Sequence, residues 1–195
     1  MRRLCFGGSF NPIHHGHLIC ARAVAESAGF DRVVLIPNAI SPLKLDAKEL
    51  AAPHHRLAMC RLAVERDELF EVEDLELARS GPSYTIDTAR EIRRRGWNKV
   101  HWLIGADMVP LLPEWHEPDA LLREVTFLIM ARPSHEIPWE TLPASVRHLR
   151  DNVVPAPLVD IGATDIRGRT ALGLSIRYLT SQPVCEYIAR HDLYR

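Results

Sequence analysis

The chain has 195 residues, 47% of them hydrophobic and 25% charged, with a formal net charge of −1. This composition is ordinary for a globular protein with one substantial core, and the near-zero charge argues against a general surface for nucleic acids. The four cysteines are scattered without a C-x-x-C pair, and no apolar stretch is as long as a signal peptide or a membrane span. We therefore expect buried free thiols, a cytoplasmic location, and neither nucleic-acid nor membrane partners.

Apolar runs typical of buried strands alternate with helical patterns along the chain. Strands are predicted at residues 4–6, 32–37, 69–72, 100–104, 125–130, 153–154 and 158–161. Helices are predicted at residues 16–28, 54–66, 84–95 and 184–190, with a further helix ending at 120–123 and one short helix within an irregular segment at 132–149. The alternation predicts an α/β fold: an open, doubly wound, Rossmann-like parallel sheet with helices on both faces. We expect a single domain spanning 1–195, because no repeat or composition break divides the chain.

The expected fold also predicts where a ligand would bind. In open α/β sheets, ligands bind beyond the carboxyl ends of the strands, near the point where strand order reverses. This rule places residues 7–9, 37–44 and 105–107, together with Arg132, on one rim of the predicted sheet. The same segments hold most of the unusual residue combinations, so we expect the functional site at this rim.

Residues 7–17 read Gly-Gly-Ser-Phe-Asn-Pro-Ile-His-His-Gly-His and join the first predicted strand to the first predicted helix. The glycines permit a sharp turn and a close approach of phosphate to main-chain N–H groups. The histidines fall at the amino end of the helix, where unpaired N–H groups and the helix dipole favour an anion. The pattern therefore favours a phosphate site, which is what nucleotidyl transfer requires.

Two other interpretations of these histidines stay open on the residues alone. His14 and His17 have the H-x-x-H spacing of zinc ligands, although no cysteine or carboxylate follows at ligand spacing. They could equally serve as structural caps of the helix. A Walker-type phosphate loop is excluded, because G-x-x-x-x-G-K-[ST] is absent from the chain.

The same segment resembles the G-x-F-[DN]-P-x-H-x-G-H signature of the nucleotidylyltransferase superfamily, which shares its HxGH element with class I aminoacyl-tRNA synthetases. The resemblance implies that His14 and His17 are catalytic, contacting the ATP phosphates and stabilising the transition state. It also implies ATP contacts from Gly7, Gly8, Ser9, Phe10 and Gly16. Magnesium is then expected to enter with ATP, held mainly by the phosphates, with no metal site of the protein's own and no tightly bound organic cofactor.

Later segments resemble, in order, the motifs of the bacterial nicotinate (nicotinamide) mononucleotide adenylyltransferases. These segments are residues 83–88 (Ser-Tyr-Thr-Ile-Asp-Thr), 104–107 (Ile-Gly-Ala-Asp) followed by Trp115, 131–133 (Ala-Arg-Pro), and the C-terminal 187–194. The resemblance therefore covers nearly the whole chain. It implies an enzyme of NAD biosynthesis that joins ATP and nicotinate mononucleotide to give deamido-NAD and pyrophosphate.

The resemblance also assigns the contacts to the mononucleotide. The assigned residues are Ser9, Lys44, Tyr84, Thr85, Asp107, Trp115 and Arg132. Trp115 would stack on the pyridine ring, Asp107 would hydrogen-bond the ribose, and the main chain of Tyr84 and Thr85 would meet the nicotinate carboxylate. Lys44 would meet the mononucleotide phosphate as a point charge. Without the family, Trp115 fits a partly buried core tryptophan equally well, and Lys44 is better explained as a solvated lysine.

The second signature of the family, I-S-S-T-x-I-R, appears at residues 161–167 as Ile-Gly-Ala-Thr-Asp-Ile-Arg. The residues that match, and are thereby assigned to ATP, are Thr164, Ile166 and Arg167. Gly162 and Ala163 replace the two serines, and each lost hydroxyl would cost about 0.5–1.5 kcal/mol if it bonded phosphate. A helix amino end and a guanidinium survive. We therefore expect residues 162–195 to be a helical portion that completes the ATP site, with weaker ATP binding rather than loss of function.

Other functions stay open at this point. The acceptor could instead be nicotinamide mononucleotide, phosphopantetheine or a sugar phosphate, although Trp115 and residues 83–85 favour a pyridine nucleotide. Nicotinate and nicotinamide would be distinguished by main-chain contacts, which the residue types do not specify. A catalytically silent nucleotide-binding regulator is supported only by Gly162 and Ala163. The sequence also leaves the oligomeric state open, including a homo-oligomer.

Overall fold

The computed structural model describes residues 1–42, 50–131 and 136–195, and its centre is a six-stranded parallel sheet. The strands are β1 (Arg3–Gly8), β2 (Arg32–Pro37), β3 (Phe70–Val72), β4 (Val100–Gly105), β5 (Val125–Met130) and β6 (Val153–Val154). Their order across the sheet is β3-β2-β1-β4-β5-β6, and every pairing is parallel. The predicted fold class is therefore confirmed.

Seven α-helices and three 3₁₀ segments are assigned within the described residues. The α-helices are α1 (His15–Ser27), α2 (Pro53–Val64), α3 (Thr85–Arg94), α4 (Pro118–Glu124), α5 (Ala144–Arg147), α6 (Ala163–Ala171) and α7 (Gln182–Arg190). The 3₁₀ segments are Ala106–Glu114, Trp139–Thr141 and His148–Asn152. None of the described helices is both long and apolar enough to cross a membrane.

The helices cover both faces of the sheet, because alternate side chains of each strand point to opposite sides. On β1, Leu4 and Phe6 belong to one hydrophobic cluster, whereas Cys5 belongs to the other. The first cluster takes buried residues from α1, α2, α6 and α7, and the second takes them from α3, α4 and α5. Cys5 and Cys60 are buried and all four cysteines are free, so the expectation of buried thiols is confirmed for these two.

The strand order reverses between β1 and β4, and few residues pair at this position. The register of β1 with β2 runs through six residue pairs, and so does the register of β4 with β5. Between β1 and β4 it covers only Leu4–His101 and Cys5–Trp102. A crevice at the carboxyl ends of these two strands is the position where doubly wound sheets bind ligands.

One strand prediction is wrong. Residues 158–161 form no strand, and the sheet ends at β6. Pro155 and Pro157 lack the N–H groups that would continue the ladder, and the side chain of Leu158 is 69% exposed. Only Ile161 packs against the core. The apolar residues of this segment therefore resemble a strand in sequence without lying beside a strand that could pair with them.

Candidate functional site

The turn after β1 is built around two close approaches that require glycine. A Cβ on Gly7 would lie 2.7 Å from Cζ2 of Trp102, and a Cβ on Gly8 would lie 3.1 Å from the ring of Phe10. The next residues reverse the chain, with Phe10 at a φ of +44° and its side chain only 2% exposed. Main chain rather than side chain is therefore what this turn presents at the rim.

His14 and His17 stack on each other at the amino end of α1, with ring centroids 3.7 Å apart. The main-chain N–H of His14 donates to Nδ1 of His17 at 3.3 Å. Because Nδ1 accepts this bond, the proton of the neutral His17 ring is on Nε2, which is the donor nitrogen of the ring. The ring of His17 also meets the ring of Phe10 edge-on, with centroids 5.2 Å apart, so its orientation is set by packing as well as by the hydrogen bond.

Gly16 allows the amino end of α1 to lie against the segment before α6. A Cβ at this position would lie 3.0 Å from Nδ1 of His14 and 3.2 Å from the carbonyl oxygen of Ile161. Backbone oxygen cannot move aside as a flexible side chain can, so any larger residue would separate the two elements. The glycine of the H-x-G-H sequence is thus a packing requirement here.

Further hydrogen bonds join the C-terminal part of the chain to the same turn. Arg167 Nη1 donates to the carbonyl of Asn11 at 3.0 Å, and Thr180 Oγ1 donates to the carbonyl of Ile13 at 2.8 Å. The hydroxyl of Tyr194 donates to Oδ1 of Asn11 at 2.8 Å, and burial raises the pKa of this phenol well above its usual value. The turn that carries the histidines is therefore held in place by three residues of the C-terminal part of the chain.

The start of α6 accounts for part of the sequence departure at 161–167. Gly162 is the N-cap residue of α6, and a Cβ there would lie 2.9 Å from a carboxylate oxygen of Asp165. Glycine thus leaves space that the Asp165 carboxylate occupies. Thr164 is exposed and its Oγ1 lies 3.4 Å from Nη2 of Arg167. Ile166 is fully buried, and its N–H donates to the carbonyl of Gly162, so it packs in the core.

The start of α3 is tied to the segment that follows β2. Ser83 accepts a hydrogen bond on Oγ from the N–H of Ala39 at 3.0 Å, and its own N–H donates to the carbonyl of Ile40 at 2.9 Å. Tyr84 is the N-cap residue of α3 and its ring stacks on His116, with centroids 4.2 Å apart. Thr85 is the first helical residue, so its N–H is among those that an α-helix leaves free at its start.

Asp107 and Trp115 lie at opposite ends of the 3₁₀ segment that follows β4. Asp107 is exposed in its first turn, beside the carboxyl end of the strand. Trp115 follows the last turn and meets Phe127 edge-on, with ring centroids 6.2 Å apart. The indole N–H of Trp115 is buried and has no hydrogen-bond partner within residues 1–42, 50–131 and 136–195. Buried donors are nearly always paired, so a partner for this group is expected from outside those residues.

Arg56 is a buried arginine that sequence reasoning missed. Its side chain is 0% exposed, and its Nε donates to the carbonyl of Ala51 at 3.0 Å. Nη1 donates to the carbonyl of Ser9 at 2.7 Å, and Nη2 donates to the carbonyls of Asn38 at 2.7 Å and Ala39 at 3.2 Å. The sequence holds one signal for this burial. Arg56 lies on the apolar side of the helical pattern, three residues before the buried Met59 and four residues before the buried Cys60.

Glu76 is a second buried charged residue that the sequence analysis did not identify. It is 4% exposed and accepts a hydrogen bond from Oγ1 of the buried Thr88 at 2.7 Å. Burial raises the pKa of the Glu76 carboxyl, while hydrogen bonds from Thr88 and Ser83 act in the opposite direction. Glu76 therefore supports the start of α3 through its hydrogen bonds from Thr88 and Ser83.

Most of the predicted site residues come together at the carboxyl rim of the sheet. The residue Ser9 follows β1, Asp107 follows β4, and His14 and His17 lie at the start of α1. Lys44 and Arg132, also predicted, lie outside the described residues. No group of three or more histidine, cysteine, aspartate or glutamate side chains is placed to hold a metal within the part of the chain that is described. The assembled rim offers main-chain N–H groups, imidazoles and a guanidinium, which together suit a polyphosphate.

Comparison with known proteins gives a consistent result. The family model described as "Cytidylyltransferase-like" matches residues 5–169. A protein of Thermomicrobium roseum named "Probable nicotinate-nucleotide adenylyltransferase" is 40% identical over 193 residues, covering 97% of this chain and 90% of that protein. A protein of Salinibacter ruber with the same name is 41% identical, covering 97% and 96%.

Solved structures also resemble the fold. Nicotinic acid mononucleotide adenylyltransferase of Plasmodium falciparum, complexed with NaAD, superposes with a TM-score of 0.78 at 18% identity, covering 100% of this chain and 98% of that chain. The same enzyme complexed with APC gives a TM-score of 0.77, also at 18% identity, over 100% and 98% of the two chains. At this level of identity the likeness shows the fold.

Proposed function

The chain belongs to the cytidylyltransferase-like family and, within it, to the nicotinate-nucleotide adenylyltransferases, and from this membership we propose its reaction. It is an enzyme that joins ATP and nicotinate mononucleotide to give deamido-NAD and pyrophosphate in NAD biosynthesis. The observation that carries the proposal is the stacked His14–His17 pair at the amino end of α1, beside the glycine turn after β1. Such a site binds and neutralises phosphate groups.

The chemistry needs little from the protein beyond binding. An oxygen of the mononucleotide phosphate attacks the α-phosphorus of ATP, forming one P–O bond, while the bond to the bridging α–β oxygen breaks and pyrophosphate leaves. The attacking phosphate oxygen is already anionic, so no general base is required. Charge accumulates on the α-phosphoryl and on the departing pyrophosphate, and hydrogen-bond donors placed there lower the barrier.

We assign His17 to donate from Nε2 to a phosphate oxygen, because its Nδ1 already accepts the N–H of His14. His14 orients His17 by stacking and by that main-chain bond, and its own ring contributes to the same phosphate site. Main-chain groups of Gly7, Gly8, Ser9 and Phe10 line the turn for the nucleotide, and Gly16 permits the close approach. The zinc interpretation has no support from a third ligand within the described residues.

The C-terminal portion, residues 162–195, is proposed to complete the ATP site within a single domain of 1–195. Arg167, held at Asn11, and Thr164 at the start of α6 would grip the triphosphate together with the amino end of that helix. Ile166 would contribute by packing α6 onto the core, since it is buried. The direct bonds from this portion to the histidine turn support the assignment.

The acceptor is proposed to bind on the other side of the crevice. Trp115 would stack on the pyridine ring and its free indole N–H would find a partner there, and Asp107 would bond the ribose. Main-chain groups at Tyr84 and Thr85 would receive the nicotinate carboxylate at the amino end of α3. The assignments of Lys44 and Arg132 rest on the family resemblance alone.

Magnesium is proposed to arrive with ATP, held mainly by its phosphates, as is usual for this ion. No tightly bound organic cofactor is included, because the chemistry of the transfer is complete with the two substrates. We also propose a cytoplasmic location, which four free cysteines support. The proposed site does not require a homo-oligomer.

The proposal is tested by an acceptor panel with ATP and magnesium, measuring pyrophosphate release. Nicotinate mononucleotide is expected to give the highest kcat/KM, with nicotinamide mononucleotide, phosphopantetheine and a sugar phosphate well below it. Preference for another member of the panel would replace the acceptor while keeping the reaction. ATP binding by calorimetry without pyrophosphate from any acceptor would instead indicate a silent regulator and contradict the proposal.

A further inference from the structure

Arg56 is buried between the turn that follows β1 and the segment that follows β2. All its hydrogen bonds go to uncharged oxygens. Each of its five N–H donors can be matched to an acceptor, since a fifth contact joins Nη1 to Oδ1 of Asn38 at 3.4 Å. Four of the acceptors are main-chain carbonyls. Buried arginines are normally paired with a carboxylate, so this hydrogen-bonding arrangement is unusual.

No carboxylate within the described residues balances this charge. The acidic groups that interact electrostatically with Arg56 are the thiol of Cys60 and the phenol of Tyr194, and burial raises the pKa of both above their usual values. Both groups are therefore neutral at physiological pH. The guanidinium thus keeps a net positive charge inside the protein, under the turn that carries the phosphate site.

The bond from Arg56 to Ser9 sets the direction of the peptide group that follows. The only cis peptide among the described residues is Asn11–Pro12, so the Ser9–Phe10 peptide is trans. In a trans peptide the C=O and the next N–H point in opposite directions. With the Ser9 carbonyl directed at Arg56, the Phe10 N–H is directed away from it, and this N–H has no acceptor within the described part of the chain.

The peptide after Asn38 shows the same geometry with its partner present. Arg56 takes the carbonyl of Asn38, and the N–H of Ala39 points away from it to Oγ of Ser83 at 3.0 Å. One guanidinium therefore fixes two peptide planes, one after β1 and one after β2. In the peptide after Asn38, the N–H donates to Ser83. In the peptide after Ser9, the N–H is available to a ligand.

We propose that Arg56 is a positioning residue of the adenylyl transfer, which aims and polarises the Phe10 N–H toward a substrate phosphate and whose buried charge is balanced only when phosphate binds. This inference rests on the proposed function. A cation at the carbonyl end of a peptide strengthens the N–H at the other end as a donor, and the low dielectric of the interior increases that effect. The bound phosphate supplies the negative charge that no carboxylate of the described residues provides to Arg56.

The test uses the full chain with three substitutions: Arg56→Lys, which keeps the charge, Arg56→Met, which removes it, and Arg61→Met as control. Arg61 lies on the same helix but is exposed, where it pairs with Asp74. We expect kcat/KM to fall by about 10²-fold in Arg56→Met, by roughly tenfold in Arg56→Lys, and not in Arg61→Met. Partial rescue by lysine is the result expected of a charge effect.

A second readout separates this role from mere structural support. Pyrophosphate alone should raise the melting temperature of the wild type more than that of Arg56→Lys, and least in Arg56→Met, since ligand binding stabilises in proportion to affinity. The amide signal of ¹⁵N-labelled Phe10 should shift on adding pyrophosphate to the wild type, and less so in Arg56→Lys. That comparison does not depend on whether Arg56→Met folds.

Equal stabilisation by pyrophosphate in the wild type and Arg56→Lys, with no shift of the Phe10 amide in either, would overturn the inference. Failure of the proposed function would be distinct, because the wild type itself would then release no pyrophosphate with nicotinate mononucleotide. An active wild type whose Arg56 variants lose stability but keep both kcat/KM and the pyrophosphate response would leave Arg56 as a structural residue only.

Discussion

The guanidinium of Arg167 donates to the main-chain carbonyl of Asn11 across 156 positions of the chain. Asn11 belongs to the turn that carries His14 and His17, and Arg167 belongs to residues 161–167, which resemble the second signature of the family. One of the donors of Arg167 thus holds the turn, and the same planar guanidinium is proposed to contact the triphosphate. The two motifs are one physical unit.

Replacing Arg167 by lysine should weaken ATP binding selectively. Lysine keeps the charge but cannot bond Asn11 and a phosphate together as a fork does. We expect the KM for ATP to rise about tenfold, equivalent to roughly 1.4 kcal/mol, with little change in the KM for nicotinate mononucleotide. Steady-state kinetics with each substrate varied provides the measurement. Arg169→Lys is the matched control, and an equal rise in both KM values would contradict a role specific to ATP.

Replacing His17 by alanine should remove a phosphate donor without unfolding the protein. We expect kcat to fall by about 10²–10³-fold, the usual cost of deleting one donor aimed at developing charge. Pyrophosphate release measures the loss, and circular dichroism verifies the fold. His148→Ala, at an exposed position away from the rim, should retain full activity. Near-normal turnover in His17→Ala would sink the catalytic assignment.

Trp115 should report on the acceptor alone. Substitution by phenylalanine keeps a flat ring but removes the buried N–H, and alanine removes both. We expect the KM for nicotinate mononucleotide to rise about tenfold in Trp115→Phe and further in Trp115→Ala, while the KM for ATP changes little. Trp139→Phe serves as the control, because Trp139 lies in the 3₁₀ segment Trp139–Thr141, where the guanidinium of Arg150 lies over its ring. A larger effect on ATP than on the mononucleotide would reverse the placement of the two substrates.

Removing the hydroxyl of Tyr194 should destabilise the protein modestly. Asn11 Oδ1 would keep its bond from the N–H of Ala51 at 3.0 Å and lose only the one from Tyr194. We expect Tyr194→Phe to lower the free energy of unfolding by about 1 kcal/mol, measured by urea denaturation with an unchanged m-value. The 86% exposed Tyr178 gives the control Tyr178→Phe, for which no change is expected. Identical midpoints for the two variants would show that the bond contributes nothing.

Stability should fall as the pH drops below about 6.5, in part because of His101. Burial, with the nearby cations Arg2 and Lys99, lowers the pKa of His101 from its usual 6.5. At pH values between the lowered pKa of His101 in the folded chain and 6.5, the unfolded chain binds more protons than the folded chain. Stability is therefore fully present above 6.5 and is lost as the pH falls through this window. His101→Asn should flatten the pH dependence of urea midpoints, and an unchanged slope would exclude His101 as its source.

The fold could be predicted from sequence because strand and helix periodicities differ and alternate regularly. Each strand of the sheet was located to within a few residues, since burial on both faces makes parallel strands continuously apolar. The segment at 158–161 was mistaken for a strand for the same reason. Apolar residues indicate that a segment is buried. They do not indicate whether a neighbouring strand has free N–H and C=O groups with which the segment could pair.

The site could be predicted from the sequence only where its functional residues are adjacent in the chain. The histidine turn spans eleven consecutive positions, and its glycines and histidines have direct chemical meaning. Arg56 has none until folding brings Ser9, Asn38 and Ala51 around it, because carbonyl oxygens are present at every position of every chain. The Tyr194–Asn11 bond was hidden for the same reason, since it joins residues 183 positions apart.

The short register between β1 and β4 has a mechanical consequence. The pairs β2-β1 and β4-β5, each in register over six residues, are joined at the centre of the sheet by only two residue pairs. The crevice lies over the junction of β1 and β4, so a dinucleotide bound across it would connect the two halves of the sheet. Occupancy would then stiffen the sheet as a whole, and amide exchange along β1 and β4 should slow together when product is bound.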